Sequence, residues 1–144
     1  MNIQQIVAAP MAINPIRCRT IKKIKSKGER RLYRVAYKYL IGDTKVDFEK
    51  IYKEFKFIYA FIDEKPVGLI EYEQTKNATH LNMVYVLSKY RQLGIMRRMF
   101  RHIFRNHDVL VWKSSTEAKK AYAKIGATVN CGVCMRLKKE DFIK

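Results

Sequence analysis

The six residues Tyr90-Arg91-Gln92-Leu93-Gly94-Ile95 lie between an apolar run at 83–87 and a stretch of helical spacing. The chemistry this arrangement suits is anion binding. A helix N-terminus carries unpaired backbone N–H groups and the positive end of the helix dipole, so a tight turn feeding a helix holds a phosphate through its main chain. Gly94, with no Cβ, lets an anion approach that main chain closely. Lys89, Arg91, Arg97, Arg98 and Arg101 crowd around the turn, a density of positive charge suited to a polyphosphate with a separate terminal phosphate.

Other reactive side chains point elsewhere. Cys131-x-x-Cys134 offers two thiolates, but structural zinc takes four ligands and no second pair at ligand spacing accompanies it, so no metal is expected. His102 and His107 are five apart, not the i, i+4 spacing of a helical metal pair, and read as surface or capping residues. Three cysteines in a chain this size make no disulfide framework, which fits a reducing compartment.

The elements that must position these residues follow from periodicity. Residues 16–21 alternate apolar and basic, a half-buried strand. From 22 to 40, Leu32, Val35, Ala36, Tyr39 and Leu40 recur at helical spacing, with basic residues on the other face. A second helix is expected at 46–55. The dense β-branched and aromatic run at 57–62, a turn at Asp63-Glu64-Lys65-Pro66 and a strand at 67–75 make an antiparallel hairpin. A strand at 80–86 leads through the turn into a helix at 95–104. The short strand 109–112 precedes a helix capped by Ser115 or Thr116 and closed by Gly126 in left-handed backbone, and 127–137 closes as a hairpin. The order β, α, α, β, β, β, α, β, α, β, β is an α+β sandwich on one mixed sheet. Residues 1–15, with Pro10 and Pro15 and no period, read as an extended or mobile arm.

With 144 residues, 48% of them hydrophobic, the chain has the material for one globular core. No apolar run approaches the roughly 18 residues of a membrane span, and no leader pattern opens the sequence, so a cytoplasmic protein is expected. The net charge of +17 implies an anionic partner: nucleotide phosphates, nucleic acid or an acidic protein. Ten of the cations fall between Arg17 and Lys38, well away from the turn, in a segment interleaved with Tyr33, Tyr37 and Tyr39. Such a segment either binds phosphate backbones and stacks bases, or is a solvated helix face with its rings turned to the core.

The string Val84-Tyr85-Val86-Leu87-Ser88-Lys89-Tyr90-Arg91-Gln92-Leu93-Gly94-Ile95 resembles the core motif of the GNAT superfamily of acyl-coenzyme A-dependent acetyltransferases: a strand, a short linker, then Arg/Gln-x-x-Gly-x-Gly/Ala opening a helix. Ala118-Lys119-Lys120-Ala121-Tyr122-Ala123-Lys124-Ile125-Gly126 resembles the second family landmark, Ala-x-x-x-Tyr-x-x-x-Gly on the helix after the fifth strand. The likeness covers residues 57–138. It implies one domain with a mixed, mostly antiparallel sheet of about seven strands flanked by about four helices.

The resemblance also implies acetyl-coenzyme A as cofactor. Val84, Val86 and Leu87 would line its pantetheine arm, on a strand that splays from its neighbour. The amides of Gln92, Leu93, Gly94, Ile95 and Met96, flanked by Arg91 and Arg97, would cradle the pyrophosphate. Met96 stands where the family carries Gly or Ala. Tyr122 would lie by the coenzyme sulfur, where a phenol can give a proton to a departing thiolate. The base that takes the proton of the acceptor amine is open among Glu71, Glu73 and His80, all on strands that flank the acceptor cleft in that family. Glu71 and Glu73 share a face of a regular strand. The function implied is direct acetyl transfer to an amine. A basic surface repels polyamines and aminoglycosides, so an acidic protein, a nucleic-acid-bound target or a modified nucleobase amine fits the field better. The alternative is a GNAT-shaped protein, weak or inactive in catalysis, that binds nucleic acid or an acidic protein.

Overall fold

The aromatic run at 57–62 and the apolar run after Pro66 form an antiparallel hairpin, β2 (Lys56–Ile62) and β3 (Lys65–Gln74), in a computed structural model that describes residues 14–43 and 45–143. The arm expected at 1–15 lies, up to residue 13, outside the described residues. The hairpin turn is two residues long. Asp63 and Glu64 both adopt left-handed backbone (φ 51° and 64°), whose twist matches the strands it joins. Lys65 and Pro66, expected in the turn, already pair with Ile62 and Phe61. Pro66 is tolerated there because the register shifts between Ala60 and Phe61, a bulge that spares its missing N–H.

The remaining elements are β1 (Arg17–Ile21), α1 (Lys27–Ile41), α2 (Phe48–Glu54), β4 (Thr79–Val86), α3 (Ile95–Ile103), β5 (Val109–Lys113), α4 (Thr116–Ala123), β6 (Thr128–Cys131) and β7 (Cys134–Lys138). Single 3-10 turns fall at Ser88–Tyr90 and Lys139–Asp141. The strands form one seven-stranded sheet in the order β1-β2-β3-β4-β5-β7-β6, antiparallel except between β4 and β5. This is the mostly antiparallel α+β architecture expected, with four α-helices among the described residues. None of them is long and apolar enough to cross a membrane.

Helix ends fall where local chemistry stops the chain. Ser26, Asp47 and Ser115 accept from the backbone N–H three residues on, at the starts of α1, α2 and α4. α1 therefore begins at Lys27, later than its periodicity suggests. Gly126 follows α4 in left-handed backbone (φ 103°).

The sheet has a core on each face. On one, α3 and α4 cover Ile58, Val67, Ile70, Leu81, Leu110 and Trp112; on the other, α1 and α2 cover Phe57, Tyr59, Leu69, Met83 and Tyr85. α1 buries Leu32, Tyr33 and Ala36, whereas Val35, Tyr39 and Leu40 are exposed. The helix is thus rotated from the face that its aliphatic spacing proposes, and the reason is Tyr33. Its ring packs on Tyr37, Phe48 and Phe57 at 5.5–5.9 Å, and its hydroxyl has a partner beneath it in the sheet.

Candidate active site

The turn before α3 has the features of an anion cradle. Gln92 and Gly94 both sit in left-handed backbone (φ 66° and 81°), which aims successive amides to one side. The first backbone bond of α3 is Arg98 N to Gly94 O, 3.1 Å, and among the described residues the amides of Leu93 to Arg97 have no protein acceptor. No side chain caps this helix. Gly94 faces open space, so nothing fills the position an anion would take. Met96 packs against the α3-side core, which turns its side chain away from the cradle.

The cations around the turn divide between two faces. Arg97 and Arg98 donate to the carbonyls of Ile143 (3.1 Å) and Ile16 (2.9 Å). With Arg101 they wall a cleft of about 410 Å³ that opens beside Gly94 and is closed on its far side by Asn14, Pro15 and Ile16. Arg91 goes the other way. Its Nε donates to the Val86 carbonyl at 3.0 Å, and its guanidinium lies over the Tyr85 and Tyr39 rings (5.6 and 6.0 Å), on the α1 side of the sheet.

Next to the turn the sheet forks. β4 and β5 pair only at Thr79↔Leu110 and His80↔Val111. Beyond those two pairs the strands part, so the β5-facing edge of β4 from Leu81 to Val86 has no strand beside it. Val84 and Val86 are half-buried on this edge, and Leu87 continues the ladder to β3 through its N–H to Val67 O, 2.9 Å. The fork widens toward the end of β4, which leads into the turn before α3.

Tyr122 stands on the α3–α4 side of the fork. Its ring stacks on Phe100 (6.3 Å) and meets Trp112 edge-on (4.9 Å). Burial pushes its phenol pKa up to about 12, so it stays protonated through the physiological range.

The three candidate bases gather on the opposite face. Glu71, 1% exposed, accepts from the Tyr33 hydroxyl and from Asn82 Nδ2, both at 2.5 Å. Burial raises its carboxyl pKa, while the two hydrogen bonds favour the ionised form and hold the rise in check. Glu73 and His80 are paired across β3 and β4 and half-buried; strand alternation puts them on the same face as Glu71. Asn82 was not legible in the sequence. It is the extra residue of a bulge, since Glu71 pairs with Met83 and Tyr72 with Leu81. The bulge swings the exposed Asn82 over Glu71 and reverses the faces of the strand, so that Leu81 packs under α3 and Met83 under α1.

The remaining singled-out residues have structural partners. His102 Nε2 meets Thr20 Oγ1 at 3.0 Å, and His107 Nδ1 lies 2.7 Å from Thr79 Oγ1 and 2.9 Å from Gln74 Oε1. Cys131 and Cys134 face each other across the β6–β7 hairpin as free thiols, and no cluster of three or more metal-ligating side chains occurs among the described residues.

A family model described as the acetyltransferase (GNAT) domain matches residues 40–130. No curated protein matches the sequence significantly. Among solved structures the chain is similar to the PaiA N-acetyltransferase of Thermoplasma acidophilum in complex with coenzyme A (TM-score 0.64, 16% identity, 86% of this chain and 99% of that one). It is likewise similar to a GNAT-family acetyltransferase of Staphylococcus aureus (0.62, 14%, 85% and 99%). A third likeness is to N-acetylglutamate synthase of Neisseria gonorrhoeae complexed with coenzyme A and N-acetyl-glutamate (0.66, 13%, 86% and 35%).

Proposed function

Because the chain belongs to the GNAT family of acetyltransferases, we propose that it transfers an acetyl group from acetyl-coenzyme A directly to an amine that enters from the α1 face. Acetyl-coenzyme A is the cofactor, and it supplies the acetyl group as a thioester. The observation that carries the proposal is the fork between β4 and β5 with the uncapped, unpaired amides of Leu93 to Arg97 at its mouth. Those amides and the α3 dipole hold pyrophosphate oxygens; Arg97, Arg98 and Arg101 in the adjoining cleft suit a further phosphate. The open edge of β4 at Val84 and Val86 accommodates the extended pantetheine arm.

The two sides of the sheet then divide the proton traffic. The amine nitrogen forms a bond to the acetyl carbon as the C–S bond breaks; the amine proton leaves on the α1 side and the sulfur takes one from the α3–α4 side. Tyr122 is the donor in this reading. Its phenol lies well above an ordinary thiol, but a thiolate formed in the same dry surroundings is raised by the same desolvation, which keeps the two within reach. Glu71 is the acceptor of the amine proton, favoured over Glu73 and His80 by its burial, its raised pKa and its fixing by Tyr33 and Asn82.

Titration with acetyl-coenzyme A tests the first step: at 100 times its dissociation constant a ligand adds about 2.7 kcal/mol of stability, so the absence of a thermal shift sinks the reading. Thiol release with a panel of amines tests the second. Glu71→Gln is expected to abolish the acidic limb of the pH profile and lower kcat/KM about 100-fold, while Glu73→Gln and His80→Gln leave both in place.

A second reading, in which the positive surface carries the function and transfer is weak, has one observation in its favour. Against 30 cations, a single ion pair occurs among the described residues, Arg19–Glu64 at 3.6 Å, and it leaves the exposed Lys27, Arg31, Arg34 and Lys38 of α1 uncompensated. Nucleic acid is the partner this favours. A salt series with single-stranded DNA and RNA decides: a steep linear fall of log affinity with log salt supports it, a flat one removes it.

A further inference from the structure

Trp112 is 3% exposed, and its indole Nε1 has no hydrogen-bond partner among the described residues. A buried N–H left unpaired is costly, and natural structures leave few of them. Its position is specific. Val111 makes the last pair between β5 and β4, so Trp112 is the first β5 residue past the apex of the fork. On its other edge it pairs with Met135 of β7, which fixes the backbone. Its ring lies beneath the line where α3 and α4 meet, 5.6 Å from Phe100 and 4.9 Å from Tyr122. The orphan donor is therefore buried just past the apex of the fork, with its ring against the phenol proposed to serve the sulfur.

We propose that Trp112 is a positioning residue for the cofactor: its indole N–H donates to a carbonyl oxygen of the pantetheine arm, close to the thioester. This rests on the acetyl-coenzyme A reading. The Phe100 and Tyr122 rings pack on the indole without bonding to its N–H, and a molecule drawn into the fork far enough to reach Tyr122 brings amide carbonyls into the same space. The bond sets the depth of the thioester against Tyr122 and leaves the phosphate cradle untouched.

The chain has one tryptophan, so one indole N–H resonance reports the donor directly. Uniformly 15N-labelled protein is titrated with coenzyme A and, separately, with adenosine 3′,5′-bisphosphate, which has the nucleotide but no pantetheine arm. Both ligands are expected to move the backbone amides of Leu93 to Arg97, whereas only coenzyme A moves the indole proton downfield. Trp112→Phe keeps an aromatic ring in place; it is expected to weaken coenzyme A about tenfold, the size of one net hydrogen bond, and to leave the bisphosphate unchanged. An indole resonance that stays put while the amides of Leu93 to Arg97 shift with coenzyme A overturns the proposal and assigns the donor to a buried water. Equal indole shifts with both ligands overturn it as well, as does equal weakening of both by Trp112→Phe. Silence of those amides with coenzyme A overturns the cofactor reading itself, and this proposal with it.

Discussion

Replacing Tyr33 by Phe removes one atom from the buried polar cluster under α1 and leaves the packing. The ring contacts with Tyr37, Phe48 and Phe57 survive; the 2.5 Å bond to Glu71 Oε1 does not. A hydrogen bond to an ionised partner contributes about 1.5–3 kcal/mol, one to a neutral partner about 0.5–1.5. Where Glu71 is ionised, the substitution costs about 2 kcal/mol, a fall in Tm of roughly 6 °C. The pH dependence has a definite sign. Burial raises the Glu71 pKa in the folded state above its unfolded value, so the carboxyl contributes stability fully below the unfolded pKa and loses it as pH rises through the folded one. Tyr33→Phe deletes one of the two bonds that hold that pKa down, so its cost grows as pH rises from below the unfolded carboxyl value through the raised folded one. Urea unfolding of both proteins across a pH series measures this, and a Glu71→Gln background isolates the pair. Equal destabilisation across the series, or an undiminished cost in the Gln background, refutes the reasoning.

Tyr122→Phe is expected to lower kcat about 100-fold with little change in the coenzyme A dissociation constant, since the ring keeps its contacts with Phe100 and Trp112 while the proton donor is lost; unchanged turnover in a thiol-release assay removes Tyr122 from the mechanism. Gly126→Ala is expected to cost about 3 kcal/mol or more, because a Cβ there would lie 2.0 Å from the Asp141 carbonyl oxygen on backbone already at φ 103°. Thermal unfolding checks it, and a loss under about 1 kcal/mol contradicts the geometry.

Local signals in the sequence carried most of the fold. The run at 57–62, the Ser115 cap and Gly94 and Gly126 each belong to elements whose cause lies within a few residues, and each appears close to where it was expected. What stayed hidden depends on distant pairs. The orientation of α1 follows from a hydroxyl that finds a carboxylate 38 residues away, so aliphatic spacing over Leu32, Val35 and Tyr39 proposed a different face. Leu81, Met83 and Tyr85 alternate like a regular strand, and nothing in that alternation announces Asn82 as a bulge. One hint was available: Glu71 falls inside the apolar run of Val67, Leu69, Ile70 and Tyr72, and a carboxylate in such company needs donors. The two-faced split of the arginines, with Arg91 held by Val86 O and the tyrosine rings, has no counterpart in spacing along the chain.

Two residue pairs join β1–β4 to β5–β7, which makes the middle of the sheet a seam. Among the described residues backbone pairing crosses that seam at Thr79–Leu110 and His80–Val111, and the side-chain core beneath α3 and α4 is what otherwise holds the two parts together. An extended molecule bonded to both edges would act as a temporary eighth strand and add ladder bonds where the sheet has none. Loading would then also be a gain in rigidity: hydrogen exchange in β5 and β7 is expected to slow on loading even at amides the ligand does not touch.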